Sequence, residues 1–259
     1  MVKDFQTSYP TIKRILNIDL NKKCYRKTTV QHLKDDQKPI RKTCCQWIRK
    51  NINRNKLERM MFTDEKIFTK NGYLNPKNDV IWADDRSDAN ERGGLHSIQK
   101  YPVCVMVAVG VTWYGLTRPY FCERLNGQTY RDQLLPFYKE EGDRLFGHKN
   151  WSFQQGEASS HKDNKAQKWC KNNFKFFIPK EKWPPNSPEL NPLDYSIWDN
   201  ISSNVEYHKV KTINDLRREV EKAMKKVDVG YVREVIGAFL RRVYSVEKHG
   251  GELIIDEYS

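Results

Sequence analysis

The chain has 259 residues, with 46 Lys and Arg against 33 Asp and Glu, a formal charge of +13. Aromatic residues make up 12% and the hydrophobic set 38%, enough for a core, so this is a polar folded composition and not a disordered one. Its most apolar stretch, residues 103–111, is about half the ~20 residues of a membrane-spanning helix, six cysteines are too few for a disulfide scaffold at this length, and the opening MVKDFQTSYP lacks the apolar centre of a secretion signal.

Residues 1–60 hold 16 Lys and Arg and 5 Asp and Glu, so nearly all the excess charge lies in the first quarter. A basic block joined to a near-neutral body points to a polyanion partner, nucleic acid first. The plainer reading is a solvated lysine-rich surface. Residues 7–17 (TSYPTIKRILN) read as a short helix. Thr7 or Ser8 caps it, Pro10 suits its first turn, and Ile12, Ile15 and Leu16 form a stripe. Residues 18–43 are basic and weakly patterned, a linker or arm. Residues 44–57 read as another basic helix.

From Met60 the texture changes. MMFTDEKIFT is a strand with Asp64 near its middle or end. Residues 79–83 (DVIWA) are a second strand. Residues 101–115 are a third, apolar almost throughout, as a strand covered on both faces would be; Cys104 is expected in its core. Residues 128–141 suit a helix with Tyr130, Leu134, Leu135 and Tyr138 at helical spacing. WSFQQ (151–155) is a fourth strand, followed by the turn GEASSH. Residues 163–172 suit a helix and 174–178 (FKFFI) a fifth strand. The proline-rich WPPNSPELNPLDYSIW leads into a helix around Ile197. Two amphipathic helices follow. Thr212 with Asp215 resembles a capping box. Ile213, Leu216, Val220 and Met224 form one stripe; Val232, Val235, Phe239, Leu240 and Val243 form the next. This order makes a mixed α/β domain over residues 60–259, preceded by a basic arm over 1–59.

Cys24, Cys44, Cys45, Cys104, Cys122 and Cys170 form no C-x-x-C pair and have no His at zinc-finger spacing, so they read as reduced structural thiols. Trp82, Trp113, Trp151, Trp183 and Trp198 read as core or loop anchors, with base stacking the lesser alternative.

Three acids stand where a strand or proline-rich loop would present them. Asp64 follows MMFT, and a carboxylate there is costly to bury unless a partner such as a metal ion meets it. Asp194 opens a helix; its plainer reading is an acid favoured by the helix dipole. Glu157 follows WSFQQ and reads otherwise as a turn acid.

The words around these acids, FTDEKIF, QQ-x-x-ASSH and WPPNSPELNPLDYSIW, together resemble the catalytic core of mariner-type transposases, cut-and-paste DNA transposases of the DDE/D superfamily. The resemblance runs over residues 62–251. GLTRPYFCERLNGQTYRDQLLP (115–136) and the closing Gly250 and Gly251 fit it too. It implies an RNase H-like α/β fold, a mixed five-stranded sheet with helices on both faces. It implies an endonuclease and strand transferase in which three acids hold two divalent ions, Mg²⁺ with Mn²⁺ as substitute. One ion activates water or a DNA 3′-hydroxyl and the other stabilises the leaving oxygen. Asp64 matches the first acid and Asp194 the third. DNA as partner, a homodimer and a nuclear location are further expectations.

The sequence departs from the family pattern in two places. The second acid should directly follow the two Gln, where Gly156 stands. Glu157 is one residue on, and in an extended strand that shift turns the side chain to the opposite face. A weakened or lost site, with two carboxylates holding one ion loosely, is the main expectation; rescue by Glu157 is the other. His161 matches a family His and stands either behind the metal ligands, against DNA, or in a local turn bond. At the front, only residues 7–23 resemble the last helix of the family's second helix-turn-helix unit. A lone helix has no scaffold to fix it in a groove. Lys13, Arg14, Lys22, Lys23, Arg26 and Lys27 can still contact phosphates, salt-sensitively and without reading sequence. The competing functions are therefore an impaired metal-dependent transposase, a non-catalytic DNA-binding or assembly module derived from one, and a decayed copy with no selected role.

Overall fold

The computed structural model describes residues 8–22, 32–70, 81–92, 101–147, 149–156, 158 and 160–254. Two units divide between His32 and Leu33. In the first, α1 (Tyr9–Arg14) starts where Ser8 accepts a hydrogen bond from the Thr11 amide, with Pro10 in the first turn. A π turn, Ile15–Asp19, extends it. None of its residues is buried, and Lys13, Arg14 and Lys22 are exposed. Lys23, Arg26 and Lys27 lie outside the described residues.

The second unit begins earlier than the sequence suggests. Its α2 (Gln37–Asn51) starts inside the stretch read as a linker. Arg41, Cys44, Cys45 and Ile48 recur at helical spacing and are all buried. Because Arg41 occupies one place in that stripe, the periodicity looked polar. After it, Asn53 caps the short α3 (Arg54–Leu57) through the Lys56 amide. Cys45, Ile48, Ile52 and Leu57 join the main core. Residues 33–59, assigned from sequence to the arm, thus pack as part of the second unit.

β1 (Met60–Thr69) is the central strand. It pairs antiparallel with β2 (Cys104–Thr112) from Phe62 opposite Val111 to Thr69 opposite Cys104. Two short segments, β3 (Gly115–Leu116) and β4 (Tyr120–Cys122), pair with the other edge of β2. Pro119 lies between them and has no N–H to continue a ladder. On the far side of β1, β5 (Ser152–Gln154) and then β6 (Phe176–Phe177) run parallel. Among the described residues the sheet thus has six strand segments where five strands were expected, because β3 and β4 both pair along the outer edge of β2.

The remaining expected strand, 79–83, is corrected. Residues 79 and 80 lie outside the described residues, and 81–83 are irregular, with Trp82 90% exposed. That segment leads instead into Asp85, which caps α4 (Arg86–Glu91) through the Asp88 amide. Trp82 is not a core anchor. Trp151, Trp183 and Trp198 are buried, and Trp113 packs partly buried on the core. Cys104 is exposed rather than in the core, because it is the end residue of β2. Cys44, Cys45, Cys122 and Cys170 are buried free thiols. Burial pushes Cys45, Cys122 and Cys170 up to about 12, so none is a ready nucleophile. Cys24 lies outside the described residues.

Helices cover both faces of the sheet. On one lie α5 (Gly127–Thr129), a π turn, α6 (Leu135–Phe146) and α7 (Asn164–Asn173). On the other lie α2, α8 (Trp198–Asn204), α9 (Ile213–Lys225) and α10 (Val229–Lys248). The capping box of α9 forms as read: Thr212 accepts from the Asp215 amide and Asp215 from the Thr212 amide. Its stripe buries Leu216, Val220 and Met224 but leaves Ile213 43% exposed. Along β1, Met60, Phe62 and Phe68 enter the α8–α10 core and Met61 the α6–α7 core. Strand alternation then puts Asp64 and Lys66 on the first face and Glu65 on the second.

The turn after α10 is closed by two glycines at positive φ, +71° at Gly250 and +95° at Gly251. A Cβ on Gly251 would lie 1.9 Å from the Lys38 carbonyl oxygen of α2, a contact that backbone cannot yield cheaply. Gly251→Ala is expected to destabilise the protein by about 2–4 kcal/mol, read from the urea midpoint.

Candidate active site

Asp64 stands on β1 just beyond its last pairing with β5, Phe62 opposite Gln154. Its Oδ2 accepts a 2.7 Å hydrogen bond from Trp198 Nε1. Trp198 is 3% exposed and meets Phe68 edge-on at 5.9 Å. Asp194 lies in a π turn, Leu193–Ile197, that leads into α8, a geometry frequent at functional sites. Four residues separate Asp194 from Trp198, so both face the end of β1.

The two carboxyls, far apart in sequence, meet here. Burial holds Asp194 well above the usual carboxylate range. The charge of Asp64 and a shared hydrogen bond with it raise Asp194 further, while Lys66 draws it partway back. Asp64 is raised by burial and then by Glu65, against the opposing pull of the Trp198 hydrogen bond and of His161.

Gly156 faces the same point. An ideal Cβ there would lie 3.2 Å from Asp64 Oδ1 and 3.7 Å from His161 Nδ1 and Cε1. A side chain at 156 would thus converge on the oxygen of Asp64 that Trp198 leaves free. Glu157 lies outside the described residues. His161 is 1% exposed, so it is packed behind the site and not presented to a ligand. Its Nδ1 lies 3.0 Å from the Gly156 carbonyl, which accepts. Its Nε2 lies 3.2 Å from Glu65 Oε2, a charge contact without hydrogen-bond alignment. Burial opposes the charged ring, yet Glu65 and the Gly156 carbonyl outweigh it and hold the His161 pKa above its ordinary value. Tyr138 donates to Glu65 Oε1 at 3.4 Å, and the Tyr130 ring lies 4.2 Å from that of His161.

The paired glutamines hold this turn in place. Thr63 Oγ1 donates to the Gln154 carbonyl at 3.0 Å, and Tyr130 to Gln155 Oε1 at 2.9 Å. Sequence reasoning missed the Trp198 bond, although its four-residue spacing from Asp194 was a usable signal. It also missed the Glu65–His161 contact, for which no local pattern exists.

Asp64, half-buried, and Asp194, open to solvent, offer oxygen ligands of the right chemistry for a hard divalent ion. Among the described residues no group of three His, Cys, Asp or Glu side chains forms a metal cluster. Among these residues, Asp64 and Asp194 are the two carboxylates that fit a shared hard cation.

The sheet order, with two carboxylates gathered beside its central strand, defines an RNase H-like domain. Solved structures of like fold include three complexes or domains of one transposase. The Mos1 transposase paired-end complex with left transposon end superposes with a TM-score of 0.76 at 15% identity, covering 98% of this chain and 74% of that one. The Mos1 mariner paired end complex with Mn gives 0.75 at 16%, with the same coverages. The catalytic domain of Mos1 mariner transposase gives 0.66 at 15%, covering 88% of this chain and 100% of that one. No family model and no curated protein matches the sequence. The chain thus has the fold of a mariner transposase catalytic region.

Proposed function

We propose that this chain is a mariner-type transposase core that binds DNA and cleaves and joins its phosphodiesters with a divalent ion, with activity impaired by Gly156. The observation that carries this reading is the convergence of Asp64 and Asp194 from separate elements, with position 156 aimed at the same carboxylate. Mos1 complexes with Mn and with Mg are among the structures of like fold. A bound Mg²⁺ or Mn²⁺ would supply Lewis-acid activation of the phosphodiester and its nucleophile. Asp64 and Asp194 would hold the ion. Trp198 orients Asp64, and Phe68 fixes the Trp198 ring. With no cation, the two carboxyls raise each other's proton affinity, and a bound cation would compete with that proton. Lys66, on the same face as Asp64 and near Asp194, places a positive charge where a phosphate would enter. Lys13, Arg14, Lys22, Lys23, Arg26 and Lys27 contact phosphates in this reading. The protein works in the nucleus, as a homodimer that holds two DNA ends.

The test is nicking of supercoiled plasmid with Mg²⁺ or Mn²⁺. Slow nicking is expected, abolished by Asp64→Ala and enhanced in Gly156→Asp/Glu157→Gly. No nicking by either the natural chain or the double variant would end the enzymatic reading. Gly156 favours a second reading, a DNA-binding or assembly module without chemistry. Both readings require DNA retention that is indifferent to Asp64→Ala and falls steeply with salt, at least ~10-fold between 50 and 200 mM, measured by fluorescence anisotropy. Retention that persists at high salt counts against either.

A further inference from the structure

The proline-rich segment brings a second buried amide to the same place. Asn191 is 2% exposed. Its Nδ2 donates to the Thr63 carbonyl at 3.3 Å, and its Oδ1 accepts from the Leu193 amide at 3.2 Å. Thr63 immediately precedes Asp64, and Leu193 immediately precedes Asp194. One side chain therefore bridges the backbones that present the two carboxylates.

The segment carrying Asn191 is itself clamped from behind. Arg41 is fully buried. It donates to the carbonyls of Pro185 at 3.1 Å and Asn186 at 2.8 Å, and to Ser187 Oγ and Glu189 Oε1. From α10, Arg242 donates to the Glu189 carbonyl at 2.8 Å. Leu190 and Leu193, on either side of Asn191, are fully buried in the main core. The segment thus reaches β1 with a fixed backbone, and Asn191 crosses the remaining gap with hydrogen bonds to both sides.

We infer that Asn191 is a positioning residue that sets the spacing between Asp64 and Asp194. This rests on the proposed metal-dependent reading for its purpose, though not for its geometry. An asparagine suits the task because one amide supplies a donor and an acceptor from a rigid two-bond stem. Alanine removes both bonds. Aspartate keeps the volume and the acceptor for Leu193 but loses the donor to Thr63.

The test uses the full chain, ¹⁵N-labelled, with Mn²⁺ alone as probe. Trp198 bonds Asp64 from the helix that follows Asp194, so its indole N–H resonance reports the spacing. Asn191→Ala and Asn191→Asp are expected to retain a native circular dichroism spectrum, to shift that resonance toward a free indole, and to bind Mn²⁺ ~10-fold or more weakly. An unchanged indole resonance in a folded variant overturns the assignment. Should neither variant fold, the natural protein decides. Slow exchange of the Asn191 side-chain amide protons supports the bridge, and exchange as fast as that of a surface asparagine refutes it. If the natural protein binds no Mn²⁺, the metal reading falls while the indole shift still settles the role of Asn191.

Discussion

Asp194→Asn is expected to make the metal-free protein more stable at pH 8, by about 3 kcal/mol or a rise of ~5–10 °C in melting temperature. Both carboxyls have folded-state pKa values raised first by burial, with Asp194 raised further by Asp64. A raised carboxyl binds its proton more tightly in the folded state than in the unfolded one. Below the ordinary aspartate range both states are protonated and the pair costs nothing. As pH rises from there toward the folded value, about 8 for Asp194, the unfolded chain releases protons that the folded chain must keep, and stability falls. Each tenfold change in proton affinity is worth about 1.4 kcal/mol; the rise of Asp194 from 3.8 to about 8 spans about four such steps, and solvent screening of this exposed side chain reduces the expected magnitude to about half of that. Asparagine removes the charge while keeping the shape. The check is a series of melts in chelator from pH 5 to pH 9. The natural protein should lose stability across that window and the variant much less. Mn²⁺ should restore the natural protein at pH 8 and leave the variant unmoved.

Gly156→Asp is expected to act oppositely in the presence and absence of metal. Its Cβ would lie 3.2 Å from Asp64 Oδ1, and the backbone there is outside the left-handed region that would exclude a side chain. Without a cation, a third carboxylate beside two that already repel each other adds repulsion, and the protein should lose about 2 kcal/mol. With Mn²⁺ the same carboxylate supplies a ligand. Affinity should rise at least ~10-fold and nicking ~100-fold. Calorimetric Mn²⁺ titration and plasmid nicking read the two effects. A variant that is destabilised and gains no Mn²⁺ affinity would mean that position 156 faces Asp64 without reaching the ion.

Much of this was legible in local patterns. β1, the turn after WSFQQ, the helix after the prolines and the Thr212 cap all follow from side-chain period or capping chemistry within a few residues. So did the two acids, because unusual words surround them. What stayed hidden depends on long-range partners. Arg41 reads as one more surface charge in a basic block, yet it is fully buried among acceptors from two distant segments. Counting it as polar concealed the buried stripe of α2 and moved the start of the second unit. Trp82 reads as an anchor by size alone, while its exposure reflects the absence of any element over it among the described residues. His161 was open to three readings, and only the fold shows that Glu65 lies beside its ring.

The surroundings of Arg41 bear on how the protein is made. Besides the proline-rich segment, its guanidinium donates to the Gly251 carbonyl at 2.7 Å and to the Glu252 carbonyl at 3.3 Å. Those acceptors are translated some two hundred residues after the arginine itself. Its charge partner Glu189 and the carbonyls of residues 185 and 186 are made earlier, so a nascent chain that has not reached Gly251 pairs the charge but leaves the guanidinium short of two acceptors. Vectorial synthesis thus leaves the closing contacts of this buried arginine until residues 251 and 252 have been made, well after the strands of the sheet.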